Sequence, residues 1–118
     1  MTSANDRQVA GSHYQSAYQH WDFVADTGMP YLLGCATKYL TRWRKKNGVQ
    51  DLEKAIHYID KAIEVGVYME ATPAVLRLTE VFIKEAVDGE VEGTIIREIV
   101  RGYYLSATGR IKELITTA

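Results

Sequence analysis

A run of basic residues with no acid among them is the segment of this sequence best suited to chemistry. On a helix, Lys38, Arg42 and Lys45 share one face with Gly34, whereas Arg44 points elsewhere. Like charges at these spacings repel by a few tenths of a kcal/mol each, a cost that a bound anion would remove. A glycine inside a helix costs roughly 1 kcal/mol relative to alanine unless a backbone or ligand comes close. The pattern therefore predicts a phosphate-binding face.

Two residues farther along the chain could complete a pocket on that face. Lys54 and Tyr58 lie one helical turn apart, and in a helical hairpin their side chains could face the basic residues of the other helix. Lysine would add a phosphate-directed charge, and tyrosine a ring edge or a hydroxyl. The alternative is an ordinary solvated surface, on which Asp51, Glu53 and Asp60 pair with the cations at about 0–1 kcal/mol per pair. The residue pattern alone leaves both alternatives open.

His13 and Tyr14 stand together ahead of the first predicted helix, in a segment that is otherwise small and polar. An isolated pair of this kind is ordinarily a surface feature. If the segment folds back over the hairpin, the Tyr14 ring could stack on a base and the His13 imidazole could contact a phosphate. Both residues are therefore candidate ligand-binding residues.

The spacing of the apolar residues predicts an all-α protein, a compact helical bundle built on a central antiparallel αα-hairpin with additional C-terminal helices. No alternating pattern long enough for a strand is present. Helical segments are expected at residues 16–26, 30–46, 51–65, 75–86 and 95–103, with a short one at 111–115.

The second and third helical segments are expected to pack antiparallel, because the turn between them is short. Trp21 on the first helix and Trp43 on the second lie on apolar stripes, so both are predicted to belong to the core rather than to a ligand platform. The stripes of the hairpin consist of Leu32, Leu33, Ala36, Tyr39, Leu40 and Trp43 on one helix and Leu52, Ala55, Ile56, Ile59, Ala62 and Ile63 on the other.

The length of 118 residues and the apolar fraction of 47% predict one globular domain. We expect a flexible N-terminal arm over residues 1–12 and a single helical domain over residues 13–118. Within that domain, residues 13–64 form the core that carries the candidate site, and residues 73–118 supply the C-terminal helices. The apolar faces of these last helices also predict a homo-oligomer.

The charge balance and the cysteine content restrict the partners and the compartment. A net charge of −1 argues against binding to long nucleic acid through a general positive field. No apolar run approaches the roughly 20 residues that cross a bilayer, so no membrane partner is expected. The start of the sequence does not resemble a secretory signal, and the single Cys35 fits a reducing compartment. A cytoplasmic protein is expected.

Three segments together resemble a known family: His13–Gln15, GCATKYLTRWRKKNG at 34–48 and DLEKAIHYID at 51–60. They are similar to the HYQ start, the G-N-A-x-K-Y-L-x-R segment, the K-K-N-G turn and the D-L-x-K-A-x-x-Y-L helix of a family of small, mostly phage-encoded proteins. Cys35 departs from this pattern, which has asparagine there, and so removes an amide that could hydrogen-bond a ligand. The resemblance covers about residues 13–64 and marks His13, Tyr14, Gly34, Lys38, Tyr39, Arg42, Lys45, Asp51, Lys54 and Tyr58.

That family includes the early nucleotide kinase of the T-seven type of coliphage, which phosphorylates deoxynucleoside monophosphates without a P-loop. The resemblance therefore implies a nucleoside monophosphate kinase-like enzyme in the host cytoplasm, with a nucleoside triphosphate and Mg²⁺ as donor. The residues themselves identify no catalytic acid or base, no metal site and no GxxxxGK[ST] loop. In such an enzyme, lysine and arginine would act by positioning and by stabilising charge.

Other functions use the same residues. A non-catalytic protein that sequesters a host signalling nucleotide needs the pocket but no catalytic group. A DNA-binding or host-protein-binding adaptor acting through the WRKKNG turn is a weaker alternative, given the net charge. A metal-dependent pyrophosphatase would need several carboxylates on facing helices, and Glu80, Glu85 and Asp88 are scattered rather than spaced as a ligand set.

Overall fold

The computed structural model describes residues 18–118, and this part of the chain forms six helices and no strand. The predicted all-α class is therefore confirmed. The predicted arm at 1–12, together with His13 and Tyr14, lies outside the described residues. None of the described helices is long and apolar enough to span a membrane. The helices are α1 (His20–Thr27), α2 (Tyr31–Arg42), α3 (Val49–Val65), α4 (Pro73–Ala86), α5 (Glu90–Arg101) and α6 (Tyr104–Thr117).

The hairpin of α2 and α3 is the most extensive helix pair of the fold, as predicted. Leu33 and Leu40 of α2 and Leu52 and Ile59 of α3 are fully buried. Helix α2 ends earlier than predicted, because the chain from 43 to 48 turns back on itself before α3 begins. Among the residues of this turn, Gly48 takes a positive φ of 60°, a conformation that glycine adopts without strain.

The remaining helices surround the hairpin. Helix α6 packs against both α3 and α5, while α4 packs against α1 and α5. The α1–α4 contact centres on Phe23 and Phe82, whose rings stack with centroids 4.4 Å apart and planes 4° apart. Helix α6 is longer than the predicted segment at 111–115, because Tyr104, Ala107 and Ile111 extend its buried face toward the N-terminus.

Two of the predicted core positions, Trp21 of α1 and Ile63 of α3, are exposed, with Ile63 at 38%. Trp21 is 55% exposed, and Phe23 is the residue of α1 that enters the core. Residues two positions apart point to nearly opposite sides of a helix, so burial of Phe23 against Phe82 turns Trp21 outward. Helix α5 ends at Arg101, two residues before the end of the segment predicted at 95–103, and the Tyr103 side chain is 61% exposed.

Candidate functional site

The basic residues of α2 and of the turn after it border a cleft of about 440 Å³ between α1, α2 and the C-terminal end of α4. Lys38, Arg42 and Lys45 all line it, as expected for residues that share a helical face. The volume lies within the range of about 300–1,000 Å³ typical of small-molecule pockets. The other residues that line the cleft are Gln19, His20, Thr41, Lys46, Phe82, Glu85, Ala86 and Asp88.

Cations outnumber carboxylates around the cleft. The Lys45 Nζ lies 3.3 Å from Asp88 Oδ2, but both side chains are exposed, so the pair is worth about 0–1 kcal/mol. Lys38 makes no ion pair with any residue from 18 to 118. In the same stretch, no group of three or more His, Cys, Asp or Glu side chains is arranged to hold a metal ion. Among residues 18–118, carboxylates thus balance the positive charge around the cleft only in part.

Arg42 is held in place by a buried carboxylate. Its Nε donates to Asp51 Oδ2 at 3.4 Å, and Asp51 is fully buried. The backbone N–H of Asn47 donates to the same oxygen at 3.2 Å, and the Asn47 amide donates to Oδ1 at 3.4 Å. Burial raises the pKa of Asp51, but the hydrogen bonds from Asn47 and the charge of Arg42 outweigh it and hold the pKa below its ordinary value. Asp51 therefore stays ionised and orients the guanidinium.

Lys54 and Tyr58 do not line the cleft, contrary to the predicted shared pocket. They surround Tyr39 instead: the Lys54 Nζ lies 5.2 Å from the Tyr39 ring centroid, and the Tyr58 ring stacks on Tyr39 at 5.8 Å and 9°. Both residues belong to α3, which packs against α2, whereas the cleft is lined by residues of α1, α2 and α4. We call the surface formed by Tyr31, Cys35, Tyr39, Lys54 and Tyr58 the tyrosine face.

Gly34 occupies a packing position between α1 and α2 rather than a place in the cleft. It is buried, and a Cβ added to it would lie 3.6 Å from Val24 Cγ2, an ordinary van der Waals distance. The structure therefore does not require glycine at this position for space. It also does not place Gly34 among the residues that could contact a ligand in the cleft.

His20 lines the cleft and was missed by the sequence analysis. Its Nε2 lies 2.8 Å from Thr37 Oγ1, and its ring meets Phe82 edge to face at 5.8 Å. The Thr37 hydroxyl can donate its proton to the Leu33 carbonyl at 3.0 Å, which leaves Nε2–H of His20 as the donor to Thr37. Burial, followed by the charge of Lys38, lowers the pKa of His20 to about 4. His20 is therefore neutral at pH 7.

The depressed pKa of His20 makes folding sensitive to acid. The pKa is 6.5 in the unfolded chain and about 4 in the folded protein, so the unfolded state binds the extra proton between these values. The stability contribution is fully present above pH 6.5 and is lost as the pH falls through 6.5 toward 4. The free energy of unfolding should therefore fall between pH 7 and pH 4. We expect this fall to be smaller in His20→Gln than in the wild type, by up to about 3 kcal/mol.

Urea titrations at several pH values would measure this dependence. His57→Gln on the exposed side of α3 is the matched histidine control and should keep the wild-type pH profile. An unchanged profile for the His20 variant would contradict the assigned neutral state.

Glu92 does not line the cleft but fixes the turn beside it, and sequence reasoning missed this residue. It is buried on α5, and its Oε2 accepts hydrogen bonds from Trp43 Nε1 at 2.9 Å and from Arg44 Nε at 2.7 Å. Burial raises the pKa of Glu92, but the hydrogen bonds from Arg44 and Trp43 outweigh it and keep the pKa below its ordinary value. Glu92 thereby ties the turn that carries Lys45 to α5.

The comparisons with known proteins bear on the first half of the chain. Residues 9–60 match the protein family described as being of unknown function, DUF3310. This segment covers somewhat less than half of the chain. No curated protein and no solved structure matches the chain.

The DUF3310 segment contains α1, α2 and most of α3, and so it carries the basic residues of the cleft and the whole tyrosine face. Phe82 and Asp88, which line the opposite wall, lie outside it. Glu92, which fixes the turn after α2, also lies outside. The cleft is therefore assembled from the DUF3310 segment and the helices that follow it.

Proposed function

We propose that the protein binds a nucleotide through its phosphate groups in the cleft. The observation that carries this proposal is the convergence of Lys38, Arg42 and Lys45 on one partly enclosed space. Arginine presents a planar fork to two phosphate oxygens, and the two lysines add mobile point charges. The resemblance of the motifs in residues 13–64 to those of a phage nucleotide kinase, noted from the sequence, favours the same ligand class.

The remaining lining of the cleft suits the other parts of a nucleotide. Phe82 borders the cleft but is only 1% exposed, so the neutral His20 ring is the neighbouring group that can offer a ligand a hydrogen bond without adding charge. A volume of about 440 Å³ lies toward the lower end of the range for ligand pockets, which favours one mononucleotide over an extended polymer.

Phosphoryl transfer is the first activity to test. In that reaction the γ-phosphoryl group of a triphosphate, bound with Mg²⁺, passes to a phosphate oxygen of a nucleoside monophosphate, and two diphosphates result. Positioning and charge stabilisation by lysine and arginine supply most of the catalysis in such transfers. Sequestration of a signalling nucleotide is the second candidate, because it needs the same cationic cleft and no turnover.

A thermal-shift screen against nucleoside mono-, di- and triphosphates and cyclic nucleotides tests the proposed ligand class. A ligand that binds only the folded state raises the unfolding temperature, and a concentration of 100 times the Kd adds about 2.7 kcal/mol of stability. Lys45→Ala should reduce the shift, whereas Lys112→Ala on the exposed surface of α6 should not. Chromatography of the nucleotides after incubation then separates the candidates: a kinase produces diphosphates, and a sequestering protein returns its ligand unchanged.

We further propose that the C-terminal helices mediate self-association. Leu105 is 80% exposed and stands with the exposed rings of Tyr68 and Tyr103 beside a shallow groove of about 340 Å³. Apolar surface of this kind is typical of protein interfaces. We expect light scattering at tens of micromolar to give a multiple of the 13.3 kDa chain mass, and Leu105→Glu to reduce it. A monomer mass for the wild-type protein would contradict this proposal.

A further inference from the structure

We infer that the tyrosine face is a second nucleotide subsite, which shares Lys38 and Arg42 with the cleft. The inference rests on the proposed nucleotide binding and extends it from one nucleotide to two. The tyrosine face was defined above by Tyr31, Cys35, Tyr39, Lys54 and Tyr58, and it lies on the α3 side of the basic residues.

Cations surround one tyrosine ring at the centre of this face. The Arg42 guanidinium carbon lies 4.8 Å from the Tyr39 ring centroid, the Lys54 Nζ lies 5.2 Å away and the Lys38 Nζ 5.7 Å away. Each distance is within the range of a cation–π contact. Three positive charges are therefore held around a single partly buried ring.

Little negative charge balances these cations. Arg42 contacts the buried carboxylate of Asp51, but neither Lys38 nor Lys54 forms an ion pair with any residue of the described chain from 18 to 118. A bound phosphate would relieve the repulsion among the three side chains. Lys54 and Tyr58 belong to α3, which packs against α2, so a phosphate of this second ligand would approach from the α3 side.

Flat aromatic surface adjoins the charges. The Tyr39 and Tyr58 rings stack against each other, and Tyr31 follows the same side of α2 with 75% of its surface exposed. Cys35 lies between them, and its closeness raises the pKa of the Tyr31 and Tyr58 phenols. An exposed aromatic ring such as that of Tyr31 is a surface on which proteins stack nucleobases.

The position of the shared residues defines how two nucleotides would be arranged. Lys38 and Arg42 line the cleft and also contact the Tyr39 ring. Phosphates bound on either side would therefore meet at these two side chains, while the sugars and bases extend away from each other. This is the arrangement that a transfer between two nucleotides requires. It would also suit a ligand made of two linked nucleotides.

Isothermal titration calorimetry with each of the four deoxynucleoside monophosphates tests the second subsite. At saturating concentration we expect two molecules bound per chain for at least one of them. Lys54→Ala and Tyr31→Ala should each weaken one binding event about ten- to a hundredfold and leave the other in place. Lys45→Ala should weaken the opposite event, and Lys112→Ala should change neither.

Tyr31 is highly exposed, so its replacement should leave folding intact, which an unchanged unfolding midpoint would verify. A stoichiometry of one with full affinity in the Lys54 and Tyr31 variants would overturn the second subsite and leave the cleft proposal standing. A stoichiometry of one that both Lys45→Ala and Lys54→Ala weaken would overturn it as well, because one nucleotide would then span both surfaces. Absence of any binding would reject the cleft proposal and the second subsite together.

Discussion

Alanine in place of Trp43 is expected to lower the free energy of unfolding by about 3–5 kcal/mol, the usual cost of removing a large buried aromatic side chain. Trp43 is only 9% exposed and packs in the core at the start of the turn after α2. Its Nε1 also donates to the buried Glu92. The substitution thus opens a cavity and removes a donor from a buried carboxylate at the same time.

Unfolding in urea of two further variants separates the effect of the cavity from that of the lost hydrogen bond. Trp21→Ala is the matched tryptophan control, and its effect should stay below about 1 kcal/mol, because Trp21 is 55% exposed. Trp43→Phe keeps most of the ring volume but loses the indole N–H, so its effect should lie between those of the two alanine variants. An unfolding midpoint for Trp43→Ala close to that of the wild type would show that the Trp43 contacts described above are wrong.

The hairpin was predictable from the sequence because its two helices are long and strongly amphipathic. In α3, for example, Leu52, Ala55 and Ile59 repeat at helical spacing over several turns, and all three are fully buried. Over such a length, a shift of the buried face by one residue would bring polar side chains into the core. The sequence therefore determines which side of each helix faces the other.

Helix α1 is too short for its apolar pattern to determine which side is buried. It has only eight residues, and both Trp21 and Phe23 are large and apolar, so a helical wheel cannot decide which of them is buried. The decision comes from Phe82, far away in the sequence, whose ring offers a stacking partner to Phe23. The choice between Trp21 and Phe23 therefore depends on a tertiary contact and not on the local sequence pattern.

In the candidate site, too, the residues related by local spacing were predictable, and those brought together by long-range contacts were not. Lys38, Arg42 and Lys45 belong to one helix and the turn that follows it, so their common face follows from their spacing. His20 meets Thr37 across 17 residues, and Glu92 meets Trp43 across 49. No spacing rule connects residues at such separations. A glutamate in an acidic stretch gave no indication that it would be buried.

Arg42→Ala is expected to weaken nucleotide binding by roughly ten- to a hundredfold, which corresponds to about 1.5–3 kcal/mol for a charge-assisted hydrogen bond. The substitution also affects stability, because Arg42 contacts the buried Asp51. Without the guanidinium, Asp51 keeps only its two donors from Asn47, so some stability should also be lost. Calorimetry must therefore be run well below the unfolding temperature of the variant.

Arg44 is not a suitable control for the Arg42 experiment. Arg44 points away from the cleft, as predicted, but it hydrogen-bonds to the buried Glu92, so its removal would disturb the turn that carries Lys45. Lys112→Ala is the better control, because it also removes one positive charge but lies on the exposed surface of α6, away from the cleft and from any buried acid. This variant should bind nucleotide like the wild type. Equal losses for the Arg42 and Lys112 variants would indicate a diffuse surface field instead of a site. No binding of any nucleotide would reject both the kinase and the sequestration proposals.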